Sequence, residues 1–281
     1  MRKLNKLLEE KMDISDFINN EYLDPEAFNS KYISAKPFPH IVIDDFISKQ
    51  MLEHVYDEFP DLRNIPTKIE FKNQREIKFA SEGFADLSPS AFKLISFLNS
   101  NVFLEYLSLL TGIEECLISD PYLAGGGYHE IKTGGLLKVH ADFNKHPSID
   151  MDRRLNLLLY LNKDWQDHWG GSLELFHEDD LSRPSVSIKP IFNRCVIFST
   201  TSYTYHGHPT PLTLPENESR KSIALYYFSL GRPKSESHGK HGTLFVAAKG
   251  EKLSYDLRSI LYDCIPPLLL RSAKRVYRKF I

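Results

Sequence analysis

The segment Lys138-Val139-His140-Ala141-Asp142-Phe143 sets a histidine and an aspartate two residues apart in a stretch of strand character. On a strand, residues two apart share a face, so His140 and Asp142 can hold one ion together. A second imidazole completes two histidines and one carboxylate, the set that leaves positions open on a non-haem iron for oxygen chemistry. Tyr205-His206-Gly207-His208-Pro209 offers that imidazole twice, at His206 and at His208, and both can lie on one strand face. A turn-rich loop follows, with Pro209, Pro211, Pro215 and Glu216-Asn217-Glu218, and then Arg220-Lys221-Ser222. Such a loop lets the chain reverse and bring an arginine back beside the metal-bearing strand. His-x-Asp alone arises by chance in many proteins; followed by this histidine and this arginine it is far more specific.

These residues need a sheet to position them, and the pattern after Asp120 supplies one. Gly125-Gly126-Gly127 opens a series of short runs of strand type at 136–140, 155–161, 172–176, 185–191, 194–198 and 221–228, separated by turn residues. The run at 155–161 is apolar apart from Asn156, as a strand buried on both faces would be. Strands at this spacing predict a β-sandwich or barrel-like fold and not alternating βαβ units. The first 115 residues or so read mainly as helical, with one early strand at Ile41-Val42-Ile43 after Pro37-Phe38-Pro39-His40. Residues 49–59 carry Met51, Leu52, Val55, Tyr56 and Phe59 at helical spacing, and 90–110 reads as one buried helix. The tail is polar from Gly231 to about Gly250, then helical in pattern apart from Pro266-Pro267, and ends in the basic run 271–279. That run is expected to be a solvated helix face, with contact to an acidic partner or a membrane surface as its functional alternative.

From about residue 125 to residue 228 the chain resembles the prolyl-hydroxylase-like branch of the 2-oxoglutarate/Fe(II) oxygenases. The pieces that carry the resemblance are Gly134-Gly135, His140-x-Asp142 and Tyr160-Leu161-Asn162-Lys163-Asp164-Trp165. They continue with Trp169-Gly170-Gly171-Ser172-Leu173-Glu174-Leu175, Asn193-Arg194-Cys195-Val196-Ile197-Phe198, His206 and Arg220-x-Ser222. The resemblance implies a mainly β fold with α elements: a double-stranded β-helix (jelly-roll) core at 120–232. An N-terminal helical buttress (1–119) and a C-terminal helical extension packed on the core (233–281) would complete a single structural domain.

It also implies the roles. His140, Asp142 and His206 would hold Fe(II); His206 is preferred to His208 because it stands eight residues after Phe198, the spacing of the family's distal ligand. Asp142 argues against a halogenase, which would leave that position to chloride. Arg220 would take the distal carboxylate of 2-oxoglutarate, whose two oxygens match a guanidinium fork as a lysine cannot. Ser222 would add a hydroxyl, and Tyr160 matches the tyrosine that donates to the same carboxylate. Tyr128 and His129 precede the iron strand; Tyr128 is carried as a pocket residue, ahead of His129, Phe143, Asn144 and Asn156. The co-substrates would be 2-oxoglutarate and O2, with ascorbate as a stimulant. The reaction would hydroxylate an unactivated C–H bond of a prolyl or similar residue in a protein or peptide, or else of a free amino acid or other small metabolite. A zinc hydrolase or an inert jelly-roll binding protein is the remote alternative; the first has no use for Arg220-x-Ser222, and the second would have lost a ligand, of which none is missing. His168 and His177 are expected to be loop residues, and Trp165 and Trp169 packing residues.

Bulk properties narrow the partners. The chain has 281 residues, 42% apolar and 26% charged, with a formal net charge of −2. That is not the basic surface of a nucleic-acid binder. Cys116, Cys195 and Cys264 are few, odd in number and far apart, so neither a disulfide framework nor a cysteine zinc site is expected. The charged N-terminal residues do not read as a signal peptide, and no apolar run reaches the ~18 residues of a membrane span. A cytoplasmic enzyme is the expectation.

Overall fold

The computed structural model describes residues 14–246; residues 271–279 and Cys264 lie outside that range. Helix α1 (Glu26–Ser34) precedes strand β1 (His40–Ile43), the early strand expected from its Ile-Val-Ile run. Helix α2 (Lys49–Asp57) buries Leu52 and Val55, three apart on one helical face. A hairpin follows that the sequence reading, with its single early strand, did not include. Strands β2 (Ile69–Lys72) and β3 (Glu76–Ala80) pair antiparallel. They alternate apolar and charged residues, as a half-covered ribbon should. Asn73 closes the turn by accepting from the backbone N–H groups of Arg75 and Glu76.

The buried helix expected at 90–110 is two helices, α3 (Pro89–Leu98) and α4 (Asn101–Thr111). Ser100 adopts an extended conformation and its hydroxyl accepts from the Phe103 N–H, which starts a new helix at the cost of the old one. The two helices meet at 54°, and no single helix among the described residues is long and apolar enough to cross a membrane.

The remaining strands are β4 (Ile118–Ser119), β5 (Gly127–Ile131), β6 (Leu136–Ala141), β7 (Asp152–Tyr160) and β8 (Leu173–Phe176). After them come β9 (Val186–Ile188), β10 (Cys195–Ser199), β11 (Tyr205–His208), β12 (Arg220–Ser229) and β13 (Leu244–Phe245). All pairings are antiparallel, in the order β1-β10-β7-β12-β5-β3-β6-β11-β8-β9. Strand β3 pairs with both β5 and β6 and so joins two four- to five-stranded faces into the nearly closed jelly roll that was expected.

Alternation explains why β7 is apolar from Leu155 to Tyr160 on both faces, with Asn156 the exception. Leu155, Leu157 and Leu159 pack with Ile223, Leu225 and Tyr227 of β12 against α3 and α4. The intervening Asn156, Leu158 and Tyr160 face the interior of the roll, where Tyr160 joins Leu173, Leu175 and Phe198. Within residues 233–246, β13 pairs with β6, and the compact unit runs to Val246.

One turn ties the two ends of this frame. Asn193, at φ 59°, accepts from the Ile47 N–H at 2.9 Å and donates to the Ile47 carbonyl at 2.8 Å. Asparagine tolerates this left-handed conformation better than most residues. Asn193→Ala strips both bonds from a buried peptide and leaves a conformation alanine disfavours. It is expected to lower unfolding free energy by roughly 2–4 kcal/mol. Urea unfolding checks this; a change below ~0.5 kcal/mol, the ordinary range of surface substitutions, would show the turn to be dispensable.

Candidate active site

Strands β6 and β11 lie side by side with His140 directly opposite His206, their ring centroids 4.4 Å apart. Asp142 follows the last residue of β6 on the same side as His140. The Nε2 atom of His140 is 3.4 Å from Asp142 Oδ1, and that of His206 is 3.4 Å from Oδ2. One donor atom from each residue lies within 4.8 Å of the other two, and all three side chains are buried. Each imidazole is oriented by its own strand. His140 Nδ1 bonds the Lys138 carbonyl at 2.8 Å, and His206 Nδ1 bonds the Thr204 carbonyl at 3.1 Å. A carbonyl only accepts, so each Nδ1 carries the proton and each Nε2 presents a lone pair to the centre of the group. Burial pushes the His206 pKa down to about 4, which keeps that lone pair free at neutral pH. This donor set fits a divalent metal.

The carboxylate is held as firmly as the imidazoles. Asp142 Oδ2 accepts from Asn156 Nδ2 at 2.6 Å and from Arg153 Nη2 at 3.1 Å. Burial alone would raise the Asp142 pKa, but Arg153, with His206 and His140, holds it well below the usual carboxylate range. Arg153 is 1% exposed. Its guanidinium lies between Phe143, 4.3 Å to the ring centroid, and Tyr226, at 3.5 Å. Period-two reading of β7 would send Arg153 outward with Leu155. A bulge prevents this: Leu155 pairs with Tyr227 and Arg153 with the next residue, Phe228, so Arg154 is the extra residue. Arg153 is thereby turned to the face of Asn156, whose Oδ1 it also bonds.

The cavity in front of the triad continues to Arg220, the first residue of β12, and to Ser222 on the same face. Arg220 is 5% exposed. Its Nε donates to the Gly171 carbonyl at 2.7 Å and its Nη2 to the Tyr160 hydroxyl at 3.2 Å. Gly171 is needed there: φ is +72°, and a Cβ would sit 2.4 Å from Leu212 and 3.1 Å from the Arg220 side chain. Gly207 is required for a different reason, since a Cβ would lie 2.8 Å from the Leu137 carbonyl where β11 crosses β6. Tyr160 stands behind Arg220 and does not line the cavity. Tyr128 is not in the site at all. It faces the helices, its hydroxyl 2.9 Å from Ser88 Oγ and its ring 4.5 Å from Phe59. Its neighbour His129, opposite Ser222 in the β5–β12 register, is the cavity residue.

A second chamber opens from the same triad. Ile69 and Phe71 of β2, Phe143 and Phe245 of β13 form its apolar rim, with Lys78, His129 and Arg153 common to both chambers. His168 and His177 are exposed, and Trp165 and Trp169 meet edge to face and pack against Leu212 and Leu214, as expected. Among the described cysteines, Cys116 and Cys195 are both free. Asn144 bonds Ser237 and Gly239 outside the cavity.

Comparison with known proteins agrees with this geometry. Residues 126–228 match the family model of the 2OG-Fe(II) oxygenase superfamily. Prolyl 3-hydroxylase OGFOD1 of Xenopus laevis is 27% identical over 264 residues, covering 90% of this chain and 46% of that protein. The Mus musculus protein of the same name is 28% identical, covering 74% of this chain and 36% of its own length. The chain thus spans less than half the length of these curated relatives. The fold matches a Trichoplax adhaerens prolyl hydroxylase solved with a hypoxia-inducible-factor peptide fragment, with TM-score 0.55 at 18% identity, covering 74% of this chain and 91% of that one. A Pseudomonas putida prolyl-4-hydroxylase gives TM-score 0.50 at 14% identity, covering 73% and 98%. The family match spans the residues that carry the triad and Arg220, so it is in this region that the chain is similar to the 2-oxoglutarate/Fe(II) oxygenase superfamily.

Proposed function

We propose that this chain is a dioxygenase that hydroxylates a prolyl residue in a protein or peptide, consuming 2-oxoglutarate and O2 on Fe(II). The observation that carries the reading is the buried His140–Asp142–His206 group sharing one cavity with a buried arginine, Arg220. His140 and His206 would hold the metal through Nε2, and Asp142 would supply the negative charge. Arg220 and Ser222 would anchor the distal carboxylate of 2-oxoglutarate at the inner end. Bound iron with 2-oxoglutarate and O2 supplies an oxidation that turns C–H into C–OH while 2-oxoglutarate becomes succinate and carbon dioxide. Arg153 and Asn156 fix the carboxylate, and the aromatic walls restrict water. The outer chamber suits a pyrrolidine ring, because Ile69, Phe71, Phe143 and Phe245 offer apolar and aromatic faces. The names of the curated relatives support a prolyl target.

A free amino acid or small metabolite is the second reading, favoured by Lys78 in the outer chamber, whose ammonium, paired there with Glu76 at 3.2 Å, can also meet a substrate carboxylate. Ascorbate would sustain turnover by keeping iron reduced. The free Cys116 and Cys195 suit a reducing, cytoplasmic compartment.

The test is succinate formation by anaerobically purified protein given Fe(II), 2-oxoglutarate, ascorbate and O2, with protein and small-molecule fractions of a cell extract supplied separately. Stimulation by the protein fraction, with a gain of one oxygen on a proline in peptide mass spectra, is the expected result. Stimulation by small molecules alone would replace the prolyl reading with the second one.

A further inference from the structure

One polar side chain in the inner cavity has no role in the reading above. His208 is 4% exposed, lines the same cavity as Arg220 and Ser222, and has no hydrogen-bond partner at either Nδ1 or Nε2. It is not in the group of donors that converge on the metal position. The pairing of β11 with β6 slips between the two histidines: His206 faces His140, but His208 faces Leu137, one residue further than regular pairing would give. That irregularity separates the two imidazoles in role as well as in place. A buried imidazole always has at least one N–H donor, and leaving it unpaired away from water is costly. Such a group in a cavity with a fixed guanidinium points to an acceptor shared by both.

We propose that His208 is a second anchor for the distal carboxylate of 2-oxoglutarate, donating a ring N–H to an oxygen that Arg220 also holds. The inference rests on the co-substrate assignment made under the proposed function. The chemistry balances: a carboxylate offers about four lone-pair sites, of which a guanidinium fork uses two. Arg220 already spends its Nε on Gly171 and shares Nη2 with Tyr160, so it cannot saturate the carboxylate alone. His208 is then a binding residue of the co-substrate and not a metal ligand.

The experiment compares wild type, His208→Phe and His208→Gln as full-length, Mn(II)-loaded protein, by calorimetric titration with 2-oxoglutarate and with oxalate. Oxalate keeps a metal-chelating end and lacks the distal carboxylate. The Mn(II) affinity of each variant is titrated first. His208→Phe should weaken 2-oxoglutarate by roughly ten- to a hundredfold, the usual range for one hydrogen bond to a charged group, and leave oxalate and Mn(II) affinities unchanged. His208→Gln, which retains an N–H donor, should recover part of the loss. Unchanged 2-oxoglutarate affinity, equal weakening of both ligands, or loss of Mn(II) would each overturn the proposal; the last would make His208 a metal ligand. If wild-type protein binds Mn(II) and oxalate but not 2-oxoglutarate, the co-substrate reading itself fails, and this inference with it.

Discussion

Asp142→Ala is expected to abolish Fe(II)-dependent succinate formation and to weaken metal binding at least ~100-fold, more than loss of a ligand's outer partner ordinarily does. Asp142 is the single anionic donor of the triad. Two neutral imidazoles on a strand pair remain without it, and nothing offsets the charge of the dication. The same substitution strips Arg153 of its carboxylate. A buried cation that loses its partner costs about 3–5 kcal/mol, so the variant should also be measurably less stable. Asp142→Asn separates the two effects. Its amide oxygen can still accept from Arg153 or Asn156, so most of the stability should return while metal affinity stays low. Anaerobic titration with Fe(II), alongside thermal unfolding, reads both. Full metal affinity in either variant would remove Asp142 from the ligand set.

What was legible in the sequence depended on how local each determinant is. His140 and Asp142 could be read because two-residue spacing on a strand is a strictly local rule. The run at 155–161 could be read because burial on both faces leaves Asn156 as its one strongly polar position. The split between α3 and α4 was hidden because apolar spacing continues across it, through Leu94, Ile95 and Leu98 to Phe103 and Leu107. Only the capping geometry of Ser100 separates them. Tyr128 and His129 show a different limit. Both occupy one strand, and which of them faces the cavity depends on the register of β5 against β12, a long-range fact. Arg153 was the least visible of all. Arginines are mostly surface residues, and strand periodicity sends this one outward; the bulge at Arg154 reverses it. The hairpin of β2 and β3, four and five residues long, carries too few residues to stand out from helical surroundings.

Arg220→Ala is expected to raise the dissociation constant for 2-oxoglutarate by roughly 30- to 5000-fold. That corresponds to about 2–5 kcal/mol for truncating one side of a buried, hydrogen-bonded charge pair. Iron affinity should hold, because Arg220 contacts Gly171 and Tyr160 and none of the three metal donors. Arg220→Lys tests which property matters. Lysine keeps the charge, so long-range attraction survives. It loses the planar fork and the Nε–H that the Gly171 carbonyl accepts. If charge dominates, the lysine variant should lie near wild type. The expected result is a loss closer to that of alanine, since Gly171 and Tyr160 hold the guanidinium in one plane and a flexible ammonium inherits neither contact. Parallel titrations of metal and 2-oxoglutarate give the answer directly. A fall in metal affinity that matches the fall in 2-oxoglutarate affinity would mean that Arg220 supports the whole cavity. A selective fall would place the dicarboxylate at the inner end of the roll and leave the outer, apolar chamber to the substrate.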